Sequence, residues 1–438
     1  MAQANNAEDK VRRLQVKLYQ AAKRSPDRRF HALYDKVYRR DVLCRAWEQV
    51  RRNRGAAGVD GVTIAHIEAA GVDAFLATLA EELQAECYHP LPSRRVWLPK
   101  PQGGTRPLGI PALRDRIVET AVKLVLEPIF EADFLECSYG YRPKRSAQQA
   151  LDRLREEVRR GRRWVVDTDI KNFFDVLDHQ RLMECLRERL SDRRILKLLR
   201  GWLKAGVLEG STLLHPEVGT PQGAIVSPLL ANVFLTCLDR AWETEHRAKG
   251  VLLRFADDLV ILCWTRAEAE AALQTLRQLL ATLGLEVAEA KTRIVQLKPE
   301  VPGIDFLGFH HRIVQSFRYP GRYFLAQWPS HKAMSAARAR IRALTARRWL
   351  LCPVSEVIQA VNRFLRGWGG YFRRGNSTRH FHAMDAYVLE RVSRFLSKKH
   401  GRAGQRYGGY LLGRSRNYMG LHRLVGTVGR GRIAHAVG

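Results

Sequence analysis

The chain has 438 residues, 46% of them hydrophobic, which is enough for a sizeable core shared among about three domains at the usual ~150 residues each. Lys and Arg number 74 against 44 Asp and Glu, and the resulting formal charge of +30 costs self-repulsion unless a polyanion, most often nucleic acid, offsets it. No run approaches the ~18 apolar residues of a spanning helix, no apolar h-region follows the N-terminus, and the seven Cys include no CxxC pair. These features point away from membrane, secreted, zinc-ligated and disulfide-framed classes and toward a soluble protein of a reducing compartment.

Residues 8–52 read as basic amphipathic helix, 52–61 (RNRGAAGVDG) as a Gly-punctuated loop, and 63–88 as helix again. The Pro- and Gly-rich stretch 89–111 predicts strand and turn, with a strand over 94–98 and PQGG as a hairpin turn. Helical spacing returns over 114–133 and 146–160, and RRWVVDTDI reads as a short strand. Helices are expected over 179–190 and 192–205. GTPQGAIVSPLLANVFLTCLDRAWE (219–243) opens as a loop and becomes a long apolar helix. Residues 251–263 read as strand, turn, strand, and 267–283 as helix. After Arg312 only three acids remain (Glu356, Asp385, Glu390) while Arg stays frequent. Helices are expected near 331–349, 354–366 and 381–398; the Gly- and Arg-rich stretch 400–438 has weak periodicity and is expected to order on a partner.

The chemistry concentrates in VLLRFADDLVILC (251–263), where Asp257 and Asp258 sit side by side between apolar runs. Adjacent carboxylates in a poorly solvated place need a cationic partner, a shared proton or a metal ion. A second acidic strand, WVVDTDIKNFFD, carries Asp167, Asp169 and Asp175, and period-2 alternation puts Asp167 and Asp169 on one face. Two such strands side by side would gather three carboxylates, a set suited to Mg2+, which prefers oxygen ligands and substrate phosphates. Taken alone, a DD dipeptide is simply a good turn former.

RFADDLVIL resembles the active-site hairpin of reverse transcriptases of the group II intron type, usually written YADD. Other blocks follow in that family's order: RNRGAAGVDGVTI, LPKPQGGTRPLGIPALRDRIVE, FLECSYGYRPKRSAQQAL, DTDIKNFFD, GTPQGAIVSPLLANVFL, GLEVAEAKT and IDFLGFHH. The resemblance runs from about residue 50 to about 400 and implies an α+β right-hand polymerase. An N-terminal helical extension (1–88) would precede fingers and palm (89–311). An α-helical thumb and maturase region (312–400) and a basic segment (401–438) would follow.

The resemblance also assigns roles. It selects Asp169, with Ile170, Asp257 and Asp258, for two Mg2+ ions, and makes the three Asp catalytic. It gives nucleotide-binding roles to Lys100, Arg106, Phe174 (a steric gate against a ribose 2′-OH), Gln222 and Lys291, and a primer grip to Leu307, Gly308 and Phe309. Phe255 replaces the usual Tyr, losing a hydroxyl and keeping the ring. In VNRFLRGWGGYFRRGN, Arg366, Arg373 and Arg374 interleave with Trp368, Tyr371 and Phe372. That mixture suits RNA, although such rings also fill cores.

The implied partners are an RNA template, intron RNA, a DNA primer and target, and dNTPs, with no membrane, in the bacterial cytoplasm near the nucleoid. The implied activities are RNA-directed DNA polymerisation and a maturase role in splicing and mobility. Many members carry an endonuclease rich in His and Cys; here the chain stops at Gly438 without paired Cys, and target-strand cleavage is not expected. The alternatives are a reverse transcriptase of a non-intron system, a non-catalytic RNA-binding splicing factor and, less well supported, a metal nuclease.

Overall fold

The computed structural model describes residues 2–99, 104–209, 212–214, 219, 223–414 and 419–428. They form an α+β structure in two compact units, residues 1–157 with 164–294 and residues 158–163 with 295–438.

The first unit opens with α1 (Ala2–Arg24), α2 (Tyr34–Val37) and α3 (Arg40–Asn53). The single helix expected over 8–52 is therefore three. Pro26 cannot donate to a helical ladder and disfavours helix at Ser25. The chain beyond it runs as an extended segment in which the Phe30 N–H donates to the Arg189 carbonyl at 2.8 Å. One face of α1 (Val11, Leu18, Ala22) enters the core. The helix expected over 63–88 also divides, into α4 (Ile64–Ala70) and α5 (Val72–Gln84), at Gly71 with φ +98°.

A hairpin follows, β1 (Ser93–Pro99) against β2 (Thr105–Ile110), from Arg94 opposite Ile110 to Pro99 opposite Thr105. Next is α6 (Leu113–Glu131), buried along most of its length at the centre of the unit. Then come α7 (Ala147–Arg159), β3 (Trp164–Asp169), the one-turn α8 (Phe173–Val176), α9 (His179–Arg189) and α10 (Arg193–Lys204). Asp192 caps α10 through Arg194 and Ile195. Its other oxygen accepts from the Leu33 and Tyr34 N–H groups, joining α2 to α10. A short hairpin that the spacing did not predict, β4 (Val207–Glu209) and β5 (Thr212–Leu214), extends the β1–β2 sheet to the order β2-β1-β4-β5. The apolar α11 (Ser227–Ala241), β6 (Val251–Phe255), β7 (Asp258–Cys263), α12 (Arg266–Thr282) and β8 (Arg293–Gln296) complete this part of the chain. The second sheet has the order β6-β7-β3-β8.

Glu119 of α6 is buried and accepts from the Ile225 and Val226 N–H groups at the start of α11. Burial pushes its carboxyl up to about 8. A group whose pKa is higher in the folded state stabilises the fold below its unfolded pKa, and that contribution fades as pH rises through the folded one. The melting temperature is therefore expected to fall between about pH 4.5 and 8, with a shallower slope in Glu119→Gln; equal slopes in a pH series of thermal melts would refute this.

In the second unit, β9 (Ile304–Phe306), β10 (Phe309–Gln315) and β11 (Tyr323–Pro329) make an antiparallel sheet of order β11-β10-β9. The helices α13 (His331–Leu344), α14 (Val354–Phe372), α15 (Thr378–Lys399) and α16 (Arg406–Arg414) follow. The stretch 400–438, expected to lack order of its own, is ordered over much of its described length. Gly408 lies so close to α15 that an added Cβ would sit 1.9 Å from the Ser393 carbonyl oxygen. Further on, Asp385 accepts from the Leu424 and Val425 N–H groups, and Asn362 both donates to the Gly420 carbonyl and accepts from the His422 N–H. The expectation missed this because side-chain bonds to backbone and a few isolated buried leucines (Leu412, Leu421, Leu424), rather than a sustained apolar period, hold the segment.

Candidate active site

Strands β3 and β7 pair antiparallel so that Asp169 stands directly opposite Asp258. Strands β6 and β7 form a hairpin in which Phe255 opposes Asp258, leaving Ala256 and Asp257 as a two-residue turn. Asp169, Asp257 and Asp258 thus meet at one end of the sheet although 88 residues separate the first from the second. Asp167, on the same strand as Asp169, is taken up by Arg293 of β8, whose guanidinium donates to it at 2.7–2.8 Å. That pairing distinguishes two acids which alternation alone leaves equivalent.

The turn is strained. Ala256 has φ +58°, the left-handed region, which costs a non-glycine residue on the order of 1 kcal/mol. A buried network holds it there. The Arg254 side chain is fully enclosed and grips Asp239 of α11 with two bonds, Nε to Oδ1 at 2.8 Å and Nη2 to Oδ2 at 2.5 Å. Its Nη1 donates to the Ala256 carbonyl at 3.2 Å and to Asn232 Oδ1 at 3.0 Å. Asn232 in turn donates to the Gly140 carbonyl at 2.9 Å. Gly140 presses on the turn so closely that a Cβ would lie 2.5 Å from the Ala256 nitrogen. Backbone bonds from Tyr139 to Arg254 and from Arg254 to Cys137 fix this segment beside β6.

The charges are uneven. The segment 286–291 runs beside Asp169: the Lys171 N–H donates to the Glu286 carbonyl, and the Ala288 N–H donates to the Asp169 carbonyl at 2.7 Å. A 3-10 turn over Glu289–Lys291 then brings the Lys291 ammonium onto Asp169 Oδ2, which raises the lysine's pKa. The other oxygen of Asp169, Oδ1, is buried without a hydrogen-bond partner among the described residues. Burial first, and then the neighbouring Asp169 charge, raise the Asp257 carboxyl. Desolvation at the sheet tip, followed by the charges of Asp169 and Asp257, pushes Asp258 up to about 7. Among the described residues, the Lys291 ammonium is the one cation bonded to these carboxylates, and one acceptor oxygen, Asp169 Oδ1, is unmet. An oxygen-seeking divalent cation fits that donor set.

Other predicted residues fall in varied places. Ile170 is buried, and its N–H donates to the Asp257 carbonyl at 3.2 Å. Arg106 is exposed on β2, close enough to lower the Asp257 carboxyl electrostatically. Phe174 is half-buried, edge-on to Phe173 at 5.2 Å. The carbonyls of Phe174 and Asp175 lie within 2.8 Å of where a Cβ on Gly219 would stand, so the start of the GTPQG loop rests on this turn. Lys100 and Gln222 lie outside the described residues. Tyr141, which the sequence reading did not single out, is exposed beside the site with its ring 6.5 Å from Phe255. Burial and then the Asp257 charge raise its hydroxyl.

Leu307, Gly308 and Phe309 belong to the second unit. Leu307 and Gly308, both at positive φ, form the two-residue turn between β9 and β10. The Tyr371 hydroxyl donates to the Leu307 carbonyl at 2.8 Å. Phe309 is fully buried against Tyr371 and Phe372, so only the turn itself faces outward. Trp368, Tyr371 and Phe372 form one ring cluster with Phe309 and Phe381, whereas Arg366, Arg373 and Arg374 are exposed.

A reverse transcriptase (RNA-dependent DNA polymerase) family model matches residues 98–311, and a group II intron maturase-specific domain model matches residues 334–410. Protein YkfC of Escherichia coli (strain K12) is 33% identical over 387 residues, 80% of this chain and 99% of that protein. The group II intron-encoded protein LtrA of Lactococcus lactis subsp. cremoris is 36% identical over 222 residues, 49% of this chain and 35% of LtrA. An uncharacterized 91 kDa protein in the cob intron of Schizosaccharomyces pombe is 34% identical over 223 residues, 50% of this chain and 27% of that protein. The matches thus span nearly all of YkfC and about a third or less of the two intron proteins. Reverse transcriptases use divalent metal ions, and the carboxylate cluster is a donor set that suits one. With the polymerase and maturase models in tandem and a relative matched end to end, the chain belongs to the group II intron family of reverse transcriptases and maturases.

Proposed function

We propose that the chain extends a DNA primer on an RNA template with dNTPs and two Mg2+ ions, and that it binds intron RNA to assist splicing and mobility. The observation that carries the reading is the Asp169–Asp258 register with Asp257 in the adjoining turn, beside a buried carboxylate oxygen that lacks a partner among the described residues. Asp169, Asp257 and Asp258 would hold the metal, with Ile170 contributing to the site. Bound there, a pair of divalent ions would favour deprotonation of the primer 3′-OH and neutralise charge building on the α-phosphate and the departing pyrophosphate.

The other roles belong to the chain's own groups. Arg106 presents a fork for phosphate oxygens, and Lys100 a point charge. Lys291, whose ammonium rests on Asp169, is assigned to the leaving group, to which it can give a proton. The Phe174 ring is assigned to exclusion of a ribose 2′-OH, and Gln222 to the nucleotide loop. Leu307, Gly308 and Phe309 are assigned to the primer grip, and Arg366, Arg373 and Arg374 to RNA phosphates. Fingers and palm would occupy 89–311 and the thumb and maturase region 312–400, between an N-terminal extension (1–88) and a basic segment (401–438). Work on RNA and DNA suits the bacterial cytoplasm and nucleoid.

The test is DNA primer extension on an RNA template with dNTPs and Mg2+, comparing the native chain with Asp257→Asn. Extension by the native protein and its loss in the variant are expected. No extension by the native protein, with tight RNA binding retained, would favour the splicing-factor reading.

A further inference from the structure

The connection between β10 and β11 is a built loop rather than a slack one. After the last strand pair, Gln315 with Tyr323, the Ser316 N–H donates to the Arg322 carbonyl at 2.7 Å. At the tip the Arg322 N–H donates to the Tyr319 carbonyl at 3.1 Å, with Pro320 and Gly321 (φ +81°) between them. Those are the residue types and the sign of φ that a type II turn demands. The Tyr319 N–H donates to Ser316 Oγ, and the Arg318 and Arg322 guanidinium carbons each lie 5.5 Å from the Tyr319 ring centroid. The loop is therefore shaped before anything binds it, which lowers the ordering cost of binding.

What this loop displays is unusual. Phe317 is 105% exposed, and Tyr319, Tyr323 and Phe324 are 41–50% exposed. A Phe ring left wholly in water forgoes the gain that burial would give it. No Asp or Glu occurs in the sequence between Asp305 and Glu356. The open ring faces of Phe317, beside guanidinium groups in a segment without acids, match unpaired nucleotides: a base stacks on the ring and phosphates meet the arginines. A duplex hides its base faces and offers such rings little. Trp368, Tyr371 and Phe372, rings that suit RNA but were expected mostly to fill core, pack with Phe309 and Phe381.

We propose that the Ser316–Arg322 hairpin tip is a binding site for single-stranded RNA, with Phe317 as the stacking platform and Arg318 and Arg322, held over the Tyr319 ring, as phosphate contacts. The inference rests on the RNA-directed reading above and adds the surface that holds an unpaired strand. The test is fluorescence anisotropy of the full-length protein with an unstructured RNA oligonucleotide and with an RNA duplex of equal length.

Phe317→Ala is expected to weaken single-strand binding about tenfold, within the range for loss of one stacked base, and to leave duplex binding and the melting temperature unchanged. Arg318→Gln with Arg322→Gln is expected to weaken both and to flatten the salt dependence. Primer extension on a pre-annealed template is expected to persist in Phe317→Ala, so a failure of the polymerase reading is seen separately. Equal loss on both RNAs, or loss of anionic-vesicle binding with single-strand binding intact, would overturn the proposal. If single-strand affinity is unchanged, crosslinking of 4-thiouridine RNA decides: an adduct at Phe317 supports the site, and its absence rejects it.

Discussion

Asp239→Asn is expected to lower the unfolding free energy by about 3–5 kcal/mol and to reduce primer extension at least a hundredfold, although Asp239 lies outside the carboxylate cluster. Its partner Arg254 is wholly enclosed, and the pair's two short bonds supply the compensation that makes a buried guanidinium tolerable. Neutralising one side leaves an unpaired buried charge, the costly half of any buried ion pair. The activity loss has a separate cause. Arg254 also donates to the Ala256 carbonyl, and Ala256 stays at φ +58° only while its surroundings over-determine it. If the guanidinium shifts to find a new partner, the turn carrying Asp257 relaxes with it.

A double variant, Arg254→Met with Asp239→Leu, separates the two effects. Removing both charges is expected to restore much of the stability, as apolar replacements of buried pairs often do, while extension stays low because the Ala256 carbonyl has lost its donor. Urea melts followed by circular dichroism, together with extension rates, measure both. Recovery of activity along with stability would mean that the pair serves only the fold.

Arg254 also shows where sequence reading stops. Strands over 251–263 and 164–169 were legible from apolar runs and β-branched residues, and period-2 alternation put Asp167 and Asp169 on one face. Alternation carries no register, so it could not say that Asp169 meets Asp258 while Asp167 meets Arg293. Nor does Arg254 look different in sequence from any other Arg. Its burial depends on Asp239, fifteen residues earlier on a helix, and apolar periodicity has no symbol for a paired charge in the core. Helices such as α6, α9, α10 and α12 fall within a residue or two of expectation because their apolar faces are strong. The errors came at punctuation, at Pro26 and Gly71, in the short β4–β5 hairpin, and in the 400–438 stretch, where Asp385 and Asn362 bind backbone. The Cys185 and Cys237 sulfurs lie 3.5 Å apart across α9 and α11, at a spacing no Cys motif would suggest.

Gly140→Ala is the second substitution expected to act on the turn, this time by steric contact alone. Gly140 is not at positive φ, so an alanine there meets no intrinsic backbone penalty. Its Cβ, however, would stand 2.5 Å from the Ala256 nitrogen, 3.1 Å from the Phe255 carbonyl carbon and 3.3 Å from the Ala256 Cα. All three are backbone atoms, and no rotamer change can move them aside. Either the 137–141 segment or the Asp257 turn must retreat. The first is tied by Asn232 and by the bonds to Arg254, while the second has solvent on its Asp258 side. The turn is thus the softer element, and Asp257 and Asp258 move with it relative to Asp169. Overpacking of this kind costs roughly 1–3 kcal/mol, which a chain of this size should survive folded. Misplacement of reacting groups by about 1 Å costs about a hundredfold in rate. The expected result is a folded protein with native RNA affinity and extension reduced about a hundredfold; a Gly140→Ala protein extending primers at the native rate would show that this contact does not hold the carboxylates in place.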